Sequence, residues 1–153
     1  MARRTWQDEQ LIEVDAPPDA VYRYLADFGS QVDWSERVVD VERPAAGFVV
    51  GATFTTAGRT PEDHRRLRIT ALQSPMRIAW QAGESRSRED WEFLLLPASK
   101  GRTSLARRVT VESGGRLRWL LVEKRRAERL AAENRAGLER IKLAVEASLR
   151  AAG

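Results

Sequence analysis

A long helix closes this chain after a run of strand-like segments, and that order constrains the fold more than any other feature. Residues 117–149 contain no proline and a single glycine, Gly137. Apolar residues recur there at helical spacing: Leu117, Leu121, Leu130, Ala131, Leu138, Ile141, Val145 and Leu149, with Lys124 and Asn134 interrupting the stripe. An amphipathic helix needs an apolar surface to lie on, and one face of an antiparallel sheet offers it. A sheet gripping one helix buries both apolar faces, and the arrangement predicts a cavity between them.

The segments before the helix read in order. A first strand spans Thr5 to Val14 and is stopped by Asp15-Ala16-Pro17-Pro18-Asp19. Proline suits a first helical turn and an aspartate favours its positive end, so a short helix is predicted over 18–28. Val21, Tyr22, Tyr24, Leu25 and Phe28 make its apolar face. Gly29-Ser30 breaks it, and a second helical turn over 31–36 carries Trp34. Six more strands are predicted at 38–42, 48–57, 64–72, 77–82, 89–96 and 103–111. Turn residues such as Ser74-Pro75, Gly83 and Gly101 separate them. The predicted class is α+β, one domain over residues 1–153. It comprises a seven-stranded curved antiparallel sheet wrapped around the C-terminal helix, with two short helices after the first strand.

Alternation tells which side chains face the helix. Trp91, Phe93 and Leu95 share a parity with Glu89, and Leu105, Val109 and Val111 share one with Arg107. Leu67 and Ile69 align with Arg65, and Ile78 aligns with Trp80. Tight hairpins place Leu67, Trp80, Glu89 and Val111 in one cross-strand row, Arg65 a diagonal step from Glu89, and Arg107 opposite Phe93. His64 falls on the opposite parity and reads as an exposed edge residue.

Composition excludes several classes of function. There are no cysteines and one histidine, so thiol chemistry is absent and no metal-ligand spacing is found; neither a metal nor a cofactor is expected. No apolar run approaches the ~20 residues of a membrane span. The polar N-terminus lacks the apolar stretch of a signal peptide, and the expected location is cytoplasmic. The formal charge is +4, but cations on the last helix alternate with Glu123, Glu128, Glu133, Glu139 and Glu146. Lys124-Arg125-Arg126 with Arg129 therefore reads as a solvated helix back rather than a membrane-surface patch, and nucleic-acid binding is not expected. The chain is expected as a monomer or homodimer.

Several motifs in order carry a resemblance. Residues 12–21 (IEVDAPPDAV), Leu25-Ala26-Asp27-Phe28 and Trp34, residues 69–80 (ITALQSPMRIAW), Phe93 to Pro97, Gly101 to Thr103 and Leu138 to Lys142 are similar to the START-like (SRPBCC) superfamily. Within it they resemble the bacterial polyketide cyclase/dehydrase branch, over essentially the whole chain. The resemblance implies a helix-grip fold around a hydrophobic cavity that binds lipids, polyketides or other aromatic molecules, and in some members cyclises and dehydrates polyketides.

Two readings of function follow. In the first, the cavity holds a small hydrophobic or aromatic metabolite against Tyr24, Trp34, Phe54, Leu67, Ile69, Trp80, Trp91, Phe93 and Val109, with Trp119 at the entrance. In the second, the chain is a polyketide aromatase/cyclase catalysing aldol closure and dehydration, without a cofactor. Arg107 and Arg65 would then be the oxyanion stabilisers and Glu89 the acid/base. An ion pair among these three charges remains the alternative, since an unpaired buried charge is costly.

Overall fold

A computed structural model describes residues 4–84, 87–113 and 124–152. Seven strands form one antiparallel sheet: β1 (Arg4–Val14), β2 (Asp40–Val41), β3 (Thr53–Ala57), β4 (Arg65–Gln73), β5 (Arg77–Glu84), β6 (Ser87–Pro97) and β7 (Thr103–Ser113). They lie in the order β1-β7-β6-β5-β4-β3-β2. Helices α1 (Pro18–Ala26) and α2 (Gln31–Trp34) follow β1, and α3 (Lys124–Ala152) packs across the inner face. This is the helix-grip architecture. Trp119, Leu117 and Leu121 lie outside the described residues. No helix among the described residues is long and apolar enough to cross a membrane.

Local chemistry explains the boundaries. α1 starts with Pro18 and carries Asp19 in its first turn, and it stops at Ala26, earlier than the periodicity predicts. Asp27 leaves helical geometry there and accepts from the Gly29 amide at 3.0 Å, opening a 3-10 turn that holds Phe28. β3 begins at Thr53 rather than near Phe48, because Gly51, at φ 89°, sits in the left-handed region and breaks the extended run. β2 is a two-residue ladder, shorter than the predicted 38–42, although Val39 and Glu42 still bond across to Ala57 and Thr55.

Register corrects one sequence expectation. Trp80 pairs with Ile69 and Trp91, while Leu67, Ala82, Glu89 and Val111 form the row that alternation assigned to Trp80. β5 and β6 pair as far as Glu84 with Ser87, which moves the row by two residues, while a bulge between Ile69 and Ala71 changes the β4–β5 register by one. A shift of two leaves every side chain on its face, so the inward set survives. Arg107 does lie opposite Phe93.

The core lies between sheet and α3. Leu67, Ile69, Ile78, Trp80, Trp91, Phe93, Leu95, Leu105, Val109 and Val111 face Leu130, Leu138, Ile141 and Val145 of the helix. Leu149 is exposed at the helix end and leaves the stripe. Asn134 and Gly137, which interrupt the apolar pattern, are buried within it. Lys142 donates to the Glu13 carbonyl at 3.0 Å and Glu146 accepts from the Asp15 amide at 2.8 Å, which fixes the C-terminal half of α3 to the end of β1.

Candidate functional site

Three inward strand residues of matching parity meet under α3. Glu89 on β6 is 1% exposed and takes both guanidinium nitrogens of Arg65, at 3.0 and 2.7 Å. It also accepts from the Trp91 indole at 3.0 Å and from Arg126 in the first described turn of α3. Burial alone would raise this carboxyl, but the charges and hydrogen bonds of Arg65 and Arg126 overcome it and hold it at about 2. Arg126 therefore turns inward from the segment that reads as solvated, because Glu89 offers a desolvated partner.

Arg107 on β7 is held differently. It is buried, and its guanidinium lies 4.2 Å from the Trp91 ring centroid, 4.8 Å from that of Trp34 and 5.7 Å from that of Phe93. Aromatic faces offset part of the lost hydration of a cation. Its Nε has no hydrogen-bond partner, and Glu133 and Glu89 act on it only through space. Burial lowers it to about 9 against the pull of those carboxylates, so it remains a cation at neutral pH. Gly137 makes the seat possible: a Cβ there would stand 2.6 Å from Arg107 Nη1. Asn134 donates to the Arg107 carbonyl at 3.0 Å and to Asp8 at 2.9 Å, which ties α3 to β7 and β1 at this level.

These groups line a pocket of about 50 Å³ bounded by Trp34, Arg37, Val38, Asp63, Arg65, Leu67, Trp80, Trp91, Arg107 and Glu133, among others. That is room for a few water-sized groups, far below the ~300–1,000 Å³ of a drug-sized site. Among the described residues, the space expected there is thus largely taken up by aromatic side chains. Trp80 stacks on Trp91 with centroids 6.1 Å apart, Trp80 meets Phe93, and Phe28 packs on Phe54 and Trp80.

The structure sorts the candidate residues into three groups. Trp34, Arg65, Leu67, Trp80, Trp91 and Arg107 line the pocket, with Glu89 behind Arg65. Phe54, Ile69, Phe93 and Val109 are buried in the packed core and are not among the lining residues. Tyr24 faces away, into an outer groove of about 380 Å³ between α1 and the end of α3, where its hydroxyl donates to Asp33 at 3.2 Å. Burial and the nearby Asp33 raise that phenol above its usual value.

Sequence reasoning missed Glu133, Arg37 and Arg126. Arg37 pairs with Glu133 across the pocket mouth, and Arg140 pairs with Glu36 at 2.7 Å beside it. Burial raises the Glu133 carboxyl although Arg37 and Arg107 pull it down. Only the interrupted helix stripe at Asn134 and Gly137 could have signalled that this face of α3 carries more than packing.

The profile of the family described as polyketide cyclase / dehydrase and lipid transport matches residues 6–146 of the chain. None of the curated proteins matches the sequence. Among solved structures, the Zhui aromatase/cyclase from Streptomyces sp. R1128 superposes with a TM-score of 0.75 at 20% identity, covering 98% of this chain and 99% of that one. The di-domain ARO/CYC StfQ from the steffimycin biosynthetic pathway gives 0.74 at 17% identity, over 95% of this chain and 52% of that one. The protein TTHA0849 from Thermus thermophilus gives 0.72 at 18% identity, over 93% of this chain and 98% of that one. At such identities the likeness establishes the fold alone.

Proposed function

The chain belongs to the polyketide cyclase/dehydrase and lipid transport family, and from that premise we propose that it binds a small hydrophobic or aromatic metabolite between its sheet and α3. One observation carries the reading: a buried cation, Arg107, lies over two indole rings in the lining of a pocket, with Nε unpartnered. Structural packing alone has no use for such a group, since a leucine would fill the same space without loss of hydration. A ligand with an apolar body and one polar oxygen satisfies both the indoles and the guanidinium.

The pocket admits only the head of such a ligand as it stands. The body enters when the mouth opens, and the mouth is bridged by the Arg37–Glu133 pair. Native mass spectrometry of protein purified from its own organism tests the reading. A co-purified small apolar mass is expected, together with a rise in melting temperature for some member of a lipid and aromatic panel. Absence of both rejects it.

A second reading, a cyclase acting on a polyketide, has its own support in Arg107 and Glu133 lining the same pocket. Glu89 is held ionised by two arginines and is a poor proton carrier near neutral pH. Glu133 has a raised carboxyl and lines the same pocket, so it can accept a proton α to a carbonyl while Arg107 holds the enolate oxygen. The enolate carbon then attacks a second carbonyl, whose oxygen takes the proton back from Glu133, and the aldol product loses its new hydroxyl and a remaining α proton as water. Turnover of a synthetic poly-β-ketone that disappears in both Arg107→Met and Glu133→Gln supports this reading; no turnover by the unaltered chain rejects it.

A further inference from the structure

The proposed ligand site has a charge as well as a shape, and the charge narrows the ligand. Three guanidiniums line the pocket, Arg37, Arg65 and Arg107, and a fourth, Arg126, reaches the Glu89 carboxylate behind Arg65. Three carboxylates answer them: Glu89, Glu133 and Asp63. Glu89 is shared by Arg65 and Arg126, Glu133 is taken by Arg37, and Asp63 accepts from the Thr60 hydroxyl at 3.0 Å. No ion pair with Arg107 forms among the described residues, and it is the most deeply buried cation of the set. Among the described residues, Arg107 is thus a buried cation of this pocket with no carboxylate in contact.

Resting on the reading above, we propose that the ligand is a monocarboxylic acid whose carboxylate seats in the plane of the Arg107 guanidinium. The guanidinium lies over the Trp34 and Trp91 rings, and its Nε–H has no partner and is left to meet an acceptor. A guanidinium edge matches the two oxygens of a carboxylate. The remaining space of about 50 Å³ takes a group of that size. A phosphate fits less well, because its second negative charge would have no cation left to meet it. A neutral carbonyl or hydroxyl would accept a hydrogen bond and leave the charge of Arg107 without a counter-charge in contact. The apolar part of the acid then lies against the indoles and leads out past Val38.

The test uses matched pairs that differ only in charge: phenylacetate against phenylacetamide, and octanoate against octanamide. Each is titrated calorimetrically into the full chain at about pH 7. The acid of at least one pair is expected to bind about tenfold or more tightly than its amide. Arg107→Met should remove that preference, read as the ratio of acid to amide affinity falling towards one. Arg107→Lys, which keeps the charge but not the planar edge, should retain part of it. Equal affinity for acid and amide overturns the carboxylate assignment and leaves the ligand-binding reading standing. An acid preference that survives Arg107→Met overturns it as well, and if that variant does not fold, the comparison on the unaltered chain still decides. No binding by any member also overturns the assignment, and a neutral co-purified mass would then keep the broader reading alive.

Discussion

Replacing Glu89 by glutamine keeps the volume of the side chain and removes one charge from a deeply buried ion cluster. The carboxylate is 1% exposed and is held by Arg65, Arg126 and the Trp91 indole. Its shift from the usual 4.5 to about 2 corresponds to roughly 3 kcal/mol at ~1.4 kcal/mol per pKa unit. Breaking a fully buried pair costs about 3–5 kcal/mol. Arg65 and Arg126 are 21% and 23% exposed, so each can swing partly into water, and the lower end applies. A loss of about 2–4 kcal/mol is expected in urea unfolding at about pH 7, with a Tm lower by roughly 5–15 °C for a chain of this size. The pH profile adds a sign. The folded carboxyl titrates below the unfolded one, so its stabilisation is complete above about pH 4.5 and is lost as pH falls towards 2. The gap between the two proteins should stay constant from about pH 8 to 5 and narrow below that. A gap under about 0.5 kcal/mol at neutral pH, or one that does not narrow in acid, refutes the reasoning.

Two further substitutions address the seat of Arg107. Gly137→Ala would ordinarily stabilise a helix by about 1 kcal/mol. Here the new methyl would stand 2.6 Å from Arg107 Nη1 and 3.4 Å from Trp34. The guanidinium is buried against two rings, so thermal unfolding should show no gain or a loss of up to about 2 kcal/mol; a full gain shows that Arg107 yields freely. Asn134→Ala deletes the buried donor to the Arg107 carbonyl and to Asp8. Urea unfolding should register a loss of about 1–3 kcal/mol, and an unchanged midpoint would mean that these bonds do not hold α3 to the sheet.

The sheet was readable in the chain because its period allows only two answers. Alternation places Glu89 with Trp91 and Phe93, and Arg107 with Val109 and Val111, and it tolerates the two-residue displacement of Trp80. Parity shows which charges point inward but not which groups meet them. Those partners stand on α3, whose rotation about its own axis depends on packing from every strand it touches. Arg126 reads as part of a solvated basic run until Glu89 is seen beneath it. The volume of the pocket was equally hidden. An aromatic wall reads the same whether it lines a cavity or fills one, and only the stacking of Trp80, Trp91 and Phe93 decides in favour of filling.

The helix did carry a signal, in the places where its apolar stripe fails. Asn134 and Gly137 look like defects in the pattern of Leu130, Leu138, Ile141 and Val145, yet both are as buried as their neighbours. One supplies the hydrogen bond that registers β7 against the helix, and the other supplies the space into which the Arg107 guanidinium fits. A helix that only covered a sheet would gain from leucine at either position. An amide and a missing side chain, one turn apart, instead match a charge rising from the opposite wall. The interruptions and the inward arginine are therefore one feature read from two ends of the chain.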